Sequence, residues 1–405
     1  MAIKTPGQQK LKELLTRGVE EIIAEEELEK KLRKGEQIRI YYGIDPTSVE
    51  LHIGHAVILR KLKEFQALGH EVILLIGDFT AQIGDPSGRT IQRVPLTHKQ
   101  VLDNAKTYQE QASKILDFES KSNPVKIKFN GHWLQKLTFK ELIELSMLFT
   151  VQQFLERDMF QDRLQAGKPI GLHEFLYPLM QGYDSLAMDV DMEVAGSDQL
   201  FNMLIGRDLL GKLKNKSKIV MTFELLEGLD GRKMSKTFNN FVGLADEPSD
   251  MYGKIMSMKD ELITRYFKLC TDVSLDEIKK MDRQIAAGGN PRDFKMKLAW
   301  ELVKTYYSVP DANSAEKNFI NVFQKKKKPE EMEEFKIQIG RHNIVDLLVN
   351  TELVSSKSEA RRVIEQGGVK VDDKVIDDPT EDIEVGEKGV VMQKGKLGYV
   401  RVVGE

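Results

Sequence analysis

Ile38-Arg39-Ile40-Tyr41-Tyr42-Gly43 and Glu71-Val72-Ile73-Leu74-Leu75-Ile76-Gly77 read as two strands, and residues 55–68 between them (HAVILRKLKEFQAL) carry apolar side chains at helical spacing. The second run is apolar at nearly every position, as a strand covered on both faces requires. A strand, helix, strand unit implies parallel pairing, because parallel neighbours need a crossover connection. Outward from this unit the alternation continues, with a helix at 99–116, a strand at 125–129, helices at 139–147 and 151–157, and further helices after Phe175 and Leu200. The pattern predicts an α/β fold: a Rossmann-like, doubly wound, mostly parallel sheet over residues 1–245.

Beyond the sheet the pattern changes. Strand signals vanish over 249–324, and 276–287 and 292–306 show only helical periodicity, so 246–328 is expected to be an all-helical domain. Lys325-Lys326-Lys327-Lys328-Pro329 and the acidic residues after it suggest a linker over 329–340, with a solvated helix end as the alternative for the lysines. Residues 341–405 carry short helices and then glycine-punctuated strands, which predicts a small α+β domain.

The bulk numbers narrow the class. A chain of 405 residues exceeds the roughly 250 to 300 residues at which single cores stop growing, so several domains are expected. With 30% charged residues and no apolar run near the roughly 20 residues of a membrane span, no membrane helix is expected. MAIKTPGQQKLKELL reads as an amphipathic helix without the continuous apolar core of a secretory signal, and a cytoplasmic location is the expectation. One cysteine, Cys270, excludes an internal disulfide framework and reads as a buried thiol, and no cysteine and histidine group has zinc spacing, so no protein metal site is predicted. The net charge of −3 means that any nucleic-acid contact has to use local basic patches.

Two polar motifs stand out. Leu51-His52-Ile53-Gly54-His55 follows a strand and turn and opens the amphipathic helix. Unpaired N–H groups and the dipole at a helix start favour phosphate, and imidazoles placed there can donate to charge developing on a transferring phosphate, with Gly54 allowing close approach. Far downstream, Asp230-Gly231-Arg232-Lys233-Met234-Ser235-Lys236-Thr237 sets two ammonium groups, Lys233 and Lys236, three residues apart on a polar loop able to close over a triphosphate. Each alone is more often bland, a structural histidine pair or a solvated basic turn. In one α/β domain and in this order, the pair resembles the signature motifs of class I aminoacyl-tRNA synthetases.

Further stretches are similar to bacterial tyrosyl-tRNA synthetases, in the branch whose lysine loop reads KMSK; this chain has KMSKT where another branch has KFGKT. The resemblance implies that ATP and L-tyrosine form tyrosyl-adenylate with magnesium on the phosphates, that tyrosine then passes to the terminal adenosine of tRNA-Tyr, and that the protein is a homodimer. Tyr41 in YYGIDPT becomes a partner of the substrate phenol, and Asp45 and Thr47 face ATP together with His52, Gly54 and His55. In GDPSGR, Asp85 is assigned to the substrate amine, and Arg89, with Arg93 beyond it, to pyrophosphate. In YPLMQGYD, the i, i+4, i+7 spacing puts Tyr177, Gln181 and Asp184 on one helix face. The family assigns the first two to the amino group and Asp184 to the phenol. In GSDQ, Asp198 meets ribose and Gln199 positions the substrate.

The carboxy-terminal stretch SSKSEARRVIEQGGVKV (355–371) resembles a small RNA-binding module shared with a small-subunit ribosomal protein, with Lys357, Arg361 and Arg362 on one short helix as candidate tRNA contacts. By the same resemblance, the helical domain would lie on the anticodon side. Tryptophanyl-tRNA synthetases share the fold and both signatures, and a non-catalytic RNA-binding relative is the alternative from another class. Tyr41 with Asp184 suits a phenol better than an indole, and intact histidine and lysine motifs count against the non-catalytic reading.

Overall fold

The computed structural model describes residues 3–87, 96–234, 238–321, 332–354, 356–395 and 398–405. It forms two compact units, the first reaching Ser308 and the second beginning at Val309. The first is built on a six-stranded sheet of β1 (Val19–Ile23), β2 (Arg39–Ile44), β3 (Glu71–Ile76), β4 (Lys126–Phe129), β5 (Met192–Gly196) and β6 (Ile219–Phe223), in the order β1-β6-β5-β2-β3-β4. Strands β2 to β6 pair in parallel, and β1 closes the β6 edge antiparallel. The winding therefore reverses between β2 and β5. At such a switch point the crossovers leave on opposite faces and open a crevice at the carboxyl ends of the strands. The expected doubly wound sheet is present.

Local departures have local causes. The helix expected at 99–116 is two, His98–Ala105 and Tyr108–Ser113. The buried Gln111 side chain accepts from the Leu51 N–H at 2.7 Å and donates to the Val49 carbonyl at 2.8 Å, tying this turn to the segment before the first histidine. The helices from Pro248 to Tyr306, expected as a domain of their own, pack into the first unit. Pro248–Met256 lies on Pro291–Tyr306, Ile263–Cys270 packs against the Ile53–Ala67 helix, and the Arg17 guanidinium donates to the carbonyls of Lys268 and Thr271 at 2.9 and 2.6 Å. Cys270 is buried, as expected, and burial pushes its thiol up to about 12.

In the second unit, the expected linker over 329–340 needs correction. Lys325 to Lys328 lie outside the described residues, but Glu333–Ile337 is a strand, β7, followed by β8 (Gly340–Asn343). The charged run reads as solvated, yet Phe335 and Ile337 pack on the core of this unit while Lys336 between them faces outward. Strands β9 (Val369–Val371), β10 (Lys374–Ile376), β12 (Val390–Lys394) and β13 (Gly398–Gly404) complete a sheet in the order β10-β9-β12-β13-β7, and β11 (Asp382–Val385) pairs with β8. With the helices Ile344–Asn350 and Lys357–Glu365, they enclose Leu347, Leu348, Ile364, Val369, Met392 and Val402.

His70, at the turn into β3, is fully buried; its Nδ1 accepts from the Ile38 N–H at 3.3 Å, and its carbonyl accepts from Asn123 at 3.0 Å. Burial lowers its pKa from 6.5 to about 4. An unfolded chain takes up this proton near 6.5 and the folded chain only near 4, so the contribution is complete above 6.5 and is lost as pH falls through this window. Between pH 7 and 4.5 the loss from this group is on the order of 2 to 3 kcal/mol. Urea unfolding of His70→Asn should show a correspondingly shallower acid dependence than the wild type; parallel curves would contradict it.

Candidate active site

The crevice at the β2/β5 switch point is a cleft of about 620 Å³ lined by Tyr41, Asp45, Thr47, His52, Gly54, His55, Asp85, Tyr177, Gln181, Asp184, Asp198, Gln199 and Lys233, among others. Residues scattered from β2 to the lysine loop thus meet in one cavity. Lys236 lies outside the described residues, as do Arg89 and Arg93.

The floor is buried and acidic. Tyr41 points from β2 with 1% exposure, among Ile73, Leu75, Met188 and Val190. Its hydroxyl is 2.9 Å from Ser185 Oγ and also interacts with the Glu193 carboxylate, so its partners are the neighbour of Asp184 and Glu193, and not Asp184 itself. Asp184 projects from the Leu172–Met188 helix and accepts from Trp133 Nε1 at 2.7 Å and from Asn130 Nδ2 at 3.2 Å. Burial raises its carboxyl well above the usual carboxylate range, against the smaller downward pull of these two donors. One turn and two turns earlier on that helix, Gln181 donates to Glu193 Oε1 at 3.0 Å and the Tyr177 hydroxyl donates to Asp45 Oδ2 at 2.8 Å. The Gln181 amide oxygen is then the atom left to accept a ligand N–H. Asp45 Oδ1 also accepts from Thr80 at 2.7 Å, and Gly77 makes this possible, since a Cβ there would stand 2.0 Å from Asp45 Oδ1. Burial, then Asp45 and Asp85, raise the Tyr177 phenol well above its usual range, so it stays a neutral donor.

One wall is a polar ladder. Asp85 accepts from the Ser87 N–H at 2.9 Å and from Gln199 at 2.8 Å, and Gln199 accepts in turn from Asn202 at 3.0 Å. Arg157, buried between the rings of Phe160 and Phe201, donates to Ser87 Oγ at 2.7 Å and anchors the turn that carries Asp85.

At the mouth, His52 caps the Ile53–Ala67 helix in extended conformation and its N–H donates to His55 Nδ1 at 3.1 Å. Because Nδ1 accepts, Nε2 carries the proton of the neutral His55 ring and is its remaining donor. The rings lie 3.9 Å apart between centroids. Gly54 makes room for protein here: a Cβ would come within 2.9 Å of His52 Nδ1 and 3.5 Å of Met234 Sδ. The lysine loop is tied to this motif by backbone pairing, the Ile53 N–H donating to Val242 O at 3.0 Å and the Leu244 N–H to Leu51 O at 2.8 Å. Lys233, exposed at its tip, reaches Asp198 Oδ2 at 3.3 Å. In the second unit, Arg361 and Arg362 are exposed on the Lys357–Glu365 helix, and Lys357 pairs with Asp346 at 2.7 Å.

Trp133, Asn130, Arg157, Ser185, Glu193 and Lys218 escape a reading of the sequence. None lies in a motif, and only the fold brings them to the cleft; a glutamate inside the apolar run Met192-Glu193-Val194-Ala195 was the one available signal.

A pocket of this depth with imidazoles and a lysine at its mouth, at the switch point of a parallel sheet, defines a class I aminoacyl-tRNA synthetase. Comparison with known proteins agrees: residues 33–324 match the family of class I tRNA synthetases for W and Y, and 343–388 match the S4 domain. The tyrosine–tRNA ligase of Thermotoga maritima is 46% identical over 99% of this chain and 98% of its own length, and that of Moorella thermoacetica is 46% identical over 96% and 94%. A C-terminally truncated mitochondrial tyrosyl-tRNA synthetase from Coccidioides posadasii superimposes with a TM-score of 0.62 at 26% identity, covering 77% of this chain and 92% of that one. The chain belongs to the tyrosyl-tRNA synthetase family, ATP-dependent ligases that join tyrosine to tRNA.

Trp133 makes the shorter bond to Asp184. Trp133→Phe keeps an aromatic ring but removes the donor, which for a charged acceptor should cost tyrosine activation roughly tenfold to a hundredfold in kcat/KM. Pyrophosphate exchange at wild-type efficiency would show that the indole is only packing.

Proposed function

We propose that this cleft activates tyrosine with its phenol on the floor, its amino group on the polar wall and the triphosphate at the mouth. The observation that carries the reading is the convergence of Tyr41, Asp184, Tyr177 and Gln181 with His52, His55 and Lys233 in one cavity. Tyr41 and Asp184 take the phenol; Tyr177, Gln181, Asp85 and Gln199 surround the ammonium, with Asp85 supplying the charge. Asp45, Thr47, Gly54 and Asp198 face the nucleotide. A tyrosine carboxylate oxygen attacks the α-phosphorus in line, pyrophosphate leaves, and a ribose hydroxyl of the terminal adenosine of tRNA later takes the tyrosyl group and releases AMP. No side chain needs to become covalently bound. Positioning and donors aimed at developing charge supply the rate: His55 Nε2–H and the His52 ring at the transferring phosphate, Lys233 at the leaving pyrophosphate, and Lys236, Arg89 and Arg93 by resemblance. Magnesium enters as a companion of the ATP phosphates, held by their oxygens and water.

The second unit is proposed to dock tRNA through Lys357, Arg361 and Arg362, supported by the match to the S4 domain and the exposure of all three. A homodimer is also proposed. Phe139, Ile143, Met147, Val151, Leu164 and Leu172 are large apolar side chains left exposed within one stretch of the first unit, a surface that a second copy would cover; sedimentation of the full chain as a monomer would contradict it. Among the described residues no helix is long and apolar enough to cross a membrane.

ATP–pyrophosphate exchange tested with each amino acid should respond to tyrosine and not to tryptophan or phenylalanine; a response to tryptophan would assign the cleft to the sister specificity. Lys233→Ala should slow activation by about a hundredfold to a thousandfold with tyrosine affinity nearly unchanged, since the ammonium acts where charge develops. Equal losses in both would place Lys233 in ground-state binding. Changing Lys357, Arg361 and Arg362 together to alanine should weaken tRNA binding and flatten its salt dependence, by up to about 0.7 to 0.9 in log–log slope for each phosphate that no longer meets a cation. An unchanged slope would exclude this helix face.

A further inference from the structure

Behind the phenol end of the cleft lies a charged pair that activation itself does not use. Lys218, just before β6, and Glu193, on β5, form an ion pair with both side chains almost wholly excluded from solvent, at 0% and 2% exposure. Such a pair is costly to bury and is not needed for a stable core, which apolar residues would fill as well. Lys218 Nζ also donates to Ser185 Oγ at 2.9 Å, and Ser185 Oγ lies 2.9 Å from the Tyr41 hydroxyl and 3.4 Å from Glu193 Oε2.

We propose that Lys218, Glu193 and Ser185 are positioning residues that fix the direction in which the Tyr41 hydroxyl donates, and thereby its selectivity for a phenol. The argument rests on the reading above that the substrate phenol sits between Tyr41 and Asp184, and it follows from counting hydrogens. Asp184 accepts from Trp133 Nε1 and Asn130 Nδ2, and as a carboxylate it takes the single hydrogen of the substrate phenol. The phenol oxygen must then accept from Tyr41. Tyr41 has one hydrogen too, so towards Ser185 its oxygen can only accept, and Ser185 must donate. The serine hydrogen has two possible acceptors, Tyr41 and Glu193 Oε2, and the shorter distance is to Tyr41. Lys218 biases the choice further: it occupies the serine oxygen as a donor, and its ammonium neutralises the competing carboxylate. The chain runs in one sense from Lys218 to Ser185, Tyr41, the phenol and Asp184. With phenylalanine bound, neither the Tyr41 hydrogen nor the acceptor position of Asp184 that faces the ligand ring has a ligand group to meet.

The test is pyrophosphate exchange with tyrosine and with phenylalanine on four full-length proteins: wild type, Tyr41→Phe, Ser185→Ala and the double variant. Ser185→Ala should raise the KM for tyrosine by about tenfold and lower the tyrosine-to-phenylalanine ratio by a similar factor, leaving kcat and the KM for ATP within about twofold. In the Tyr41→Phe background the same change should alter the ratio by less than about twofold, because the hydroxyl through which it acts is gone. Equal losses in both backgrounds, or a fall in kcat for both amino acids alike, would overturn the relay while leaving the phenol site intact. A Tyr41→Phe protein with an unchanged ratio would overturn the relay and the placement of the phenol together. Urea midpoints of the variants separate these outcomes from unfolding, and Ser185→Cys, with its weaker donor, should fall between wild type and Ser185→Ala.

Discussion

Carboxylates taken out of water need donors, and the half-buried Asp45 and the buried Asp184 and Glu193 at the floor of this cleft are each given two or more. Tyr177 and Thr80 serve Asp45, Trp133 and Asn130 serve Asp184, and Lys218 and Gln181 serve Glu193. An ionised carboxyl in a dry cavity without such partners would take up a proton and lose its value as an acceptor. Much of the surrounding structure follows from this requirement. The sheet order brings β5 beside β2, which sets Glu193 near Tyr41; β4 ends at Phe129, just before Asn130, and leads to Trp133; and the Leu172–Met188 helix aims three polar side chains inward at one face.

The floor and the mouth divide the work. At the phenol end of the floor, Tyr41, Asp184, Ser185 and Glu193 are 3% exposed or less and hydrogen-bonded to protein, which suits discrimination between substrates that differ by one hydroxyl. At the mouth, His52, His55 and Lys233 are partly open, and the Lys233 ammonium meets Asp198 at 3.3 Å. Donors that face charge developing late in a reaction gain from being placed in advance. The backbone pairing of 242–244 with the histidine motif keeps the lysine loop in register with the helix start across nearly two hundred residues of sequence.

Much of this was legible in the chain. The β2, helix, β3 unit reads directly because its periods are clean, and the Tyr177, Gln181, Asp184 face follows from helical spacing alone. The strands β5 and β6 do not read, being five residues each, one interrupted by a buried glutamate. The helix at 99–116 looks continuous because nothing in its own sequence announces that Gln111 will be claimed by a distant backbone. The linker reading failed for a related reason: Glu333-Glu334-Phe335-Lys336-Ile337 is charged enough to look solvated, and only pairing with β13, the last strand of the chain, makes it an edge strand. Of the residues that matched motifs in the α/β domain, those that are described line one cleft. The groups that hold them, Trp133, Asn130, Ser185 and Lys218, are ordinary residues in sequence and acquire meaning only from their neighbours in space.

The central claim is that the floor of the cleft reads a phenol through two groups of opposite hydrogen-bonding sense. A crystal structure of the full chain with L-tyrosine tests it most directly. The account predicts the phenol oxygen within hydrogen-bonding distance of both the Tyr41 hydroxyl and an Asp184 carboxylate oxygen, with the ammonium near Tyr177, Gln181 and Asp85. A tyrosine bound with its ring towards His52 and His55, or with its hydroxyl out of reach of Asp184, would contradict it.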